Sequence, residues 1–273
     1  MASLIRRRVA RSFFLVAGVL GVAANATAAP PTLAEAYATL ASRLFVDLTH
    51  DFAPGIPHWK GFGDEKRSTL YTIAKDGFVV TEYCHVGQWG THVDAPAHFH
   101  AGLKTVDQID PRDLLMPLVV LDVHEQSAKN ADYVIGLDVV QEWEHRHGRI
   151  PAHAFVAMRT DWSKRWPDAA ALANQGADGL FHYPGWSREV LKFLYENRQV
   201  AATGHETTDT DPGLATSKDD YSQESYLLGL NHYQIEMLAN LDKVPEAGAI
   251  VMVSFPKPKD GSGFPARVIA ILP

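Results

Sequence analysis

Apolar runs and amphipathic stretches alternate along most of this chain. Leu118-Val119-Val120-Leu121-Asp122-Val123 has the length and apolar continuity of a buried strand. Ala154 to Arg159, Val200 to Thr203, Ala249 to Phe255 and Ala266 to Leu272 predict further strands, as does Phe78 to Val86. Leu33 to Leu44 predicts a short amphipathic helix, with Thr32 as N-cap and Glu35 completing a capping box. Asp138 to His147 predicts a second helix, capped by Asp138 and stopped by Gly148. Ser187 to Asn197 predicts a third, capped by Ser187, and Tyr221 to Leu241 a long helical region. The order mixes strand–helix units with adjacent strands, which predicts a single α/β domain with a mixed sheet.

The N-terminus departs from this pattern. Arg6, Arg7, Arg8 and Arg11 precede an apolar stretch from Phe13 to Ala24, and Ala26-Thr27-Ala28 offers a small-x-small cleavage site. That layout predicts a signal peptide over residues 1–28, a mature domain over residues 29–273, and a periplasmic or secreted product. The apolar run is short for a membrane span, so no stable insertion is expected after cleavage. Arg7-Arg8 fits a twin-arginine signal poorly.

Composition narrows the class. The chain has 273 residues, 46% of them hydrophobic, enough to bury a sizeable core. A net charge of −7 without a basic patch beyond the N-terminus argues against a nucleic-acid partner. A single cysteine, Cys84, excludes an internal disulfide; its strand-like run predicts a buried, inert thiol, with His85 facing the other way.

The chemistry concentrates in Gln88-Trp89-Gly90-Thr91-His92-Val93-Asp94-Ala95-Pro96-Ala97-His98-Phe99. Imidazole nitrogen and carboxylate oxygen are ligands for zinc or manganese. In an extended segment His92 and Asp94 point to one side and Val93 to the other. Pro96 turns the chain, so His98 can return to the same pocket. A metal-acidified water would make the site hydrolytic.

From Gly90 to His98 this string resembles the signature of the metal-dependent cyclase family, which includes bacterial kynurenine formamidases and isatin hydrolases. The family's form is His-x-Gly-Thr-His-x-Asp-x-Pro-x-His; here Gln88 replaces the first histidine. Asp47-Leu48-Thr49-His50, Pro57, Trp59, Arg159-Thr160-Asp161-Trp162 and Glu236 through Asp242 are also similar to family segments. The resemblance implies a swivelling β/β/α fold, a dimer or tetramer, and metal ligands at His92, Asp94 and Glu236. Counting twelve residues back from Glu236 reaches Glu224, where two-metal members carry a histidine. Gln88 and Glu224 therefore enter the candidate ligand set, with His205 or His232 as other sources of the missing nitrogen. On one straight helix Glu224 and Glu236 would stand about 18 Å apart. Both reach one ion only if the helix breaks, and Gly229 and Asn231 are the break points.

Trp59 and Trp89, with Phe62, are candidates for an aromatic substrate wall. His205 and Glu206 follow a predicted strand and are candidates for the pocket. The expected activity is hydrolysis of an amide or cyclic amide by metal-activated water, with His98 as general base. The alternative is an exported small-molecule binding protein with a weakened metal site.

Overall fold

The computed structural model describes residues 30–273. The signal-peptide assignment, residues 1–28, lies outside the described residues. Helix α1 (Leu33–Ala41) stops short of Leu44. Its cap is reciprocal: the Thr32 amide donates to Glu35 Oε2 at 2.8 Å, and the Glu35 amide to Thr32 Oγ1 at 3.3 Å.

The unit from Leu40 to Pro273 carries the sheet. Its elements are β1 (Phe45–Asp47), β2 (Lys66–Tyr71), α2 (Ile73–Asp76), β3 (Val80–Cys84), β4 (His92–Asp94), β5 (Leu115–Asp122), α3 (His124–Lys129) and α4 (Leu137–His147). They continue as β6 (Phe155–Arg159), α5 (Ala169–Ala173), α6 (Arg188–Lys192), β7 (Ala202–His205), α7 (Gly213–Thr216), α8 (Ser222–Gly229), β8 (Tyr233–Glu236), β9 (Ile250–Ser254), β10 (Gly263–Pro265) and β11 (Arg267–Ile271).

Residues 118–121 of β5 and 155–158 of β6 are apolar and buried, as strands covered on both faces require. Leu118 and Val120 enter one core with Phe155 and Ala157, whereas Val119 and Leu121 enter another with Val156 and Met158. The second core is completed by Val140 and Trp143 of α4, Val190 and Leu191 of α6, and Leu227 and Leu228 of α8. The first is shared with β4, β8, β9 and β11. Strands β5 to β8 run parallel in chain order, and the remaining pairs are antiparallel.

The nine-stranded order is β1-β11-β9-β5-β6-β7-β8-β4-β10. Only Ala266 separates β10 from β11, and its amide donates to the Thr91 carbonyl at 2.8 Å. The same bent segment thus pairs with β4 at one end and β9 at the other, and the sheet closes on itself. This mixed α/β architecture, with a curled sheet, is the one the resemblance implied.

Three expectations need correction. Residues 221–241 are not one helix: α8 ends at Gly229, Asn231 takes φ 67°, and Tyr233–Glu236 forms β8. Alternation in Tyr-Gln-Ile-Glu is a strand pattern, which the long-helix reading passed over. Asp138 lies in the first turn of α4; the cap position belongs to Gly136. Cys84 is exposed, because β2 and β3 form a separate two-stranded hairpin with little covering it. Among the described residues, no helix is long and apolar enough to cross a membrane.

Candidate metal centre and active-site cavity

The centre is built on the β4–β8 ladder. Antiparallel register sets His92 opposite Glu236 and Asp94 opposite Gln234. All four are buried, and Val93 turns into the core as the period of two requires. Gly90, at φ 63°, allows the chain to enter β4, and Pro96 opens a tight turn that carries His98 back. Glu224 comes from the first turn of α8. Asp211 orients that turn: its carboxylate accepts the Gln223 amide at 2.8 Å and the Glu224 amide at 3.0 Å.

Two triads that could hold a metal ion result. His92, Asp94 and Glu236 bring nitrogen and oxygen atoms within 4.8 Å of one another, and so do Asp94, His98 and Glu224. Asp94 belongs to both. Its Oδ2 lies 3.4 Å from His92 Nε2, and its Oδ1 lies 4.0 Å from His98 Nε2. The His92 Nδ1–H donates to the Gly90 carbonyl at 2.8 Å, which leaves Nε2 free toward the carboxylates.

Gln234 ties the acidic groups together. Its Nε2 lies 3.0 Å from Glu236 Oε1, 3.1 Å from Glu224 Oε1 and 3.3 Å from Asp94 Oδ2. The Thr210 hydroxyl donates to the amide oxygen and fixes the amide's direction. Sequence reasoning missed this residue. The available signal was its place two before Glu236, on the same face of a strand.

Burial drives the electrostatics. Burial, then neighbouring carboxylates, push Glu224 and Glu236 well above the ordinary carboxylate range. Burial also acts on Asp94, but the charge and hydrogen bond of His92 outweigh it and hold Asp94 low. His92 is raised: the Asp94 charge and hydrogen bond overcome burial, which acts to lower it.

A cavity of about 250 Å³ opens above these groups. Trp59, Phe62, Phe99, Tyr221 and Met237 form its apolar wall, and Gln88 and His98 its polar side. The Trp59 Nε1–H donates to the Tyr221 hydroxyl at 2.9 Å. The Gln88 amide nitrogen lies 3.4 Å from His98 Nδ1. Gly263 of β10 makes room for Gln88, since a Cβ there would fall 2.3 Å from the amide nitrogen.

Three candidates for the pocket do not line it. Trp89 is fully buried, stacks on His58, and donates its Nε1–H to Glu65 Oε2 at 3.2 Å. Glu206 is buried behind β6, where it accepts the Thr160 amide at 2.6 Å and the Ser163 hydroxyl at 2.5 Å. His205 sits behind Glu236, its Nε2 3.3 Å from Oε1. Burial pushes the His205 imidazole down to about 3, so the ring is neutral. Trp186 Nε1–H donates to its Nδ1 at 3.3 Å, which leaves the ring proton on Nε2, facing Glu236. His232 turns away to the Ala201 carbonyl. Neither histidine joins a triad.

The Cyclase family model matches residues 46–212. The chain belongs to the cyclase family. One cyclase-family relative, the isatin hydrolase of Roseibium aggregatum, is 34% identical over 189 residues, covering 67% of this chain and 71% of its own. Isatin hydrolase A from Labrenzia aggregata, solved with benzyl benzoate, aligns with a TM-score of 0.81 at 33% identity, covering 88% of this chain and 98% of that one. An isatin hydrolase bound to the product analogue thioisatinate aligns with a TM-score of 0.82 at 28% identity, covering 89% of this chain and 100% of that one.

The residues of this cyclase-family member fit a divalent metal ion. Asp94 Oδ1 is buried without a hydrogen-bond partner. Three buried carboxylates converge on one another, which costs free energy unless a cation or protons compensate. An oxygen-rich set with one or two imidazoles suits a hard or borderline ion.

Proposed function

We propose that this protein hydrolyses the amide bond of a cyclic or aromatic amide of the isatin type. The observation that carries the reading is the pair of carboxylate–imidazole triads at the floor of an aromatic-walled cavity. A flat ring suits the wall of Trp59, Phe62 and Phe99. A divalent ion, zinc or manganese, held by His92, Asp94 and Glu236 would supply an acidified water and polarise the carbonyl. His98 reaches into the cavity and serves as general base, taking a proton from the attacking water and returning it to the leaving nitrogen. With its amide oxygen turned toward Nδ1, Gln88 would accept the Nδ1 proton of His98 and leave Nε2 free to act as the base. Gln234 holds Glu236 in place.

The test is isatin turnover by purified protein, followed with and without chelator, beside elemental analysis. Metal-dependent ring opening supports the reading. A protein that stays inactive after zinc or manganese is restored supports a binding protein on a hydrolase scaffold instead.

A second reading has one observation in its favour. Asp94, His98 and Glu224 could hold a second ion, which would make His98 a ligand. Two equivalents of metal, falling to one in His98→Ala, would establish it.

The export reading rests on residues 1–28 and places the mature enzyme in the periplasm or medium. The β2–β3 hairpin leaves Leu70, Tyr71, Ile73, Phe78, Val79 and Tyr83 exposed. A lone two-stranded hairpin is marginal in water, so a second copy of the chain covering it accounts for this surface.

A further inference from the structure

A second chamber, of about 100 Å³, lies beside the main cavity. Trp59, Thr208, Asp209 and Tyr221 line both spaces and form the wall between them. Asp209 is 6% exposed. Its Oδ2 accepts the Tyr183 hydroxyl at 2.6 Å and the Thr208 hydroxyl at 2.8 Å. Its Oδ1 accepts no hydrogen bond from the described residues, and none of their cationic side chains pairs with it. Lys60 lines the chamber too, but its ammonium is held by Asp219 at 3.2 Å, sits 5.8 Å from the Phe181 ring centroid, and does not pair with Asp209. Asp209 Oδ1 is thus open to the chamber, where a bound cation would complete the carboxylate. Around it stand the rings of Trp59, Phe181, Tyr183 and Tyr221. A carboxylate among aromatic rings is an acceptor set that recognises an ammonium group.

We propose that this side chamber is a cation subsite, in which Asp209 and the surrounding rings take up an ammonium group carried by an aromatic amide substrate. As a statement about substrate, this rests on the hydrolase reading of the main cavity. The aromatic ring of such a substrate would lie above the triads, and its amino-bearing arm would pass the Trp59–Tyr221 pair to reach Asp209 Oδ1.

Calorimetry on the metal-loaded protein at pH 7 tests the subsite without turnover. The probes are phenethylamine, charged at that pH, and phenethyl alcohol, its neutral counterpart. The wild type is expected to bind the amine about tenfold or more tightly than the alcohol. Asp209→Asn is expected to bring that ratio near one, and Asp209→Glu to keep it. Equal binding of the probes by the wild type, or an unchanged ratio in Asp209→Asn, overturns the proposal. Isatin turnover is measured in parallel on the same wild-type preparation. A protein that is inactive but keeps the amine preference upholds the subsite and overturns the hydrolase reading.

Discussion

His92 and Glu236 face each other across the β4–β8 ladder, with Nε2 3.5 Å from Oε2. The pairing makes the ligand set a property of register. A slip of β4 by one residue would turn His92 and Asp94 toward the core and bring Val93 into the cavity, and a slip of β8 would do the same to Glu236 and Ile235. Because register is enforced by the buried face of each strand, the metal centre inherits the precision of the core.

Asp94 contributes to both triads, so its loss should be the most damaging single change to metal binding. Asp94→Ala is expected to weaken metal affinity at least about 100-fold. Elemental analysis after dialysis checks this, and full occupancy in the variant would contradict the ligand assignment.

His98 is expected to separate from Asp94 in its phenotype. His98→Ala should lower kcat by about 10²–10⁴ while the ion bound by His92, Asp94 and Glu236 is retained. Steady-state turnover beside metal analysis checks it; unchanged kcat removes His98 from the proton transfer.

Gln234 reaches three carboxylates with one amide, and it cannot be replaced by a shape alone. Gln234→Leu should lower metal affinity about 10–100-fold without removing any ligand. Competition with a chromophoric chelator would reveal it. An affinity within twofold of wild type would make Gln234 a core residue with no role in holding the centre.

Asp211 offers a pH signature. Burial pushes its carboxyl from 3.8 up to about 6. The folded chain therefore holds this proton over a range where the unfolded chain has lost it, and stability falls as pH rises from about 4 through about 6. Half-buried His50 and buried His205, lowered to about 4 and about 3, act in the opposite sense, so the whole-protein profile mixes signs. Comparison with Asp211→Asn isolates the contribution of this one carboxyl. The advantage of metal-free wild type over that variant should shrink by about 2–3 kcal/mol between pH 4 and pH 7. Denaturant melts at both pH values measure it, and a constant advantage would contradict the assignment.

The exposed hairpin leads to a prediction about assembly. Replacing Leu70 and Phe78 together by Ser should shift the protein toward monomer in light scattering, with the metal content of each chain unchanged. A wild type that is already monomeric at micromolar concentration would rule out the hairpin as a self-association surface.

Much of the site was legible because its residues sit in one short string. His92, Val93 and Asp94 alternate as a strand demands, and Pro96 returns His98 to the pocket. What stayed hidden came from elsewhere in the chain. Glu224 and Glu236 meet because Gly229 and Asn231 end the helix between them. That break was visible as a condition of both reaching one ion but not as a strand beginning at Tyr233. Gln234, Asp209 and Tyr221 carried no motif; only closure of the sheet and packing of α8 bring them to the cavity. Trp89 and Glu206 misled for a related reason. Aromatic and acidic residues next to a functional string can equally serve its scaffold, as the Trp89–Glu65 and Glu206–Ser163 bonds do.

The bend at Ala266 reaches further than its own contacts. Residues 263–271 supply no triad ligand, yet they are the stave that closes the cask, bonded to β4 on one side and β9 on the other. A chain cut short before Gly263 would keep every ligand and still expose the flank of the strand that carries two of them. The integrity of the candidate metal centre thus depends on a segment that carries none of its ligands.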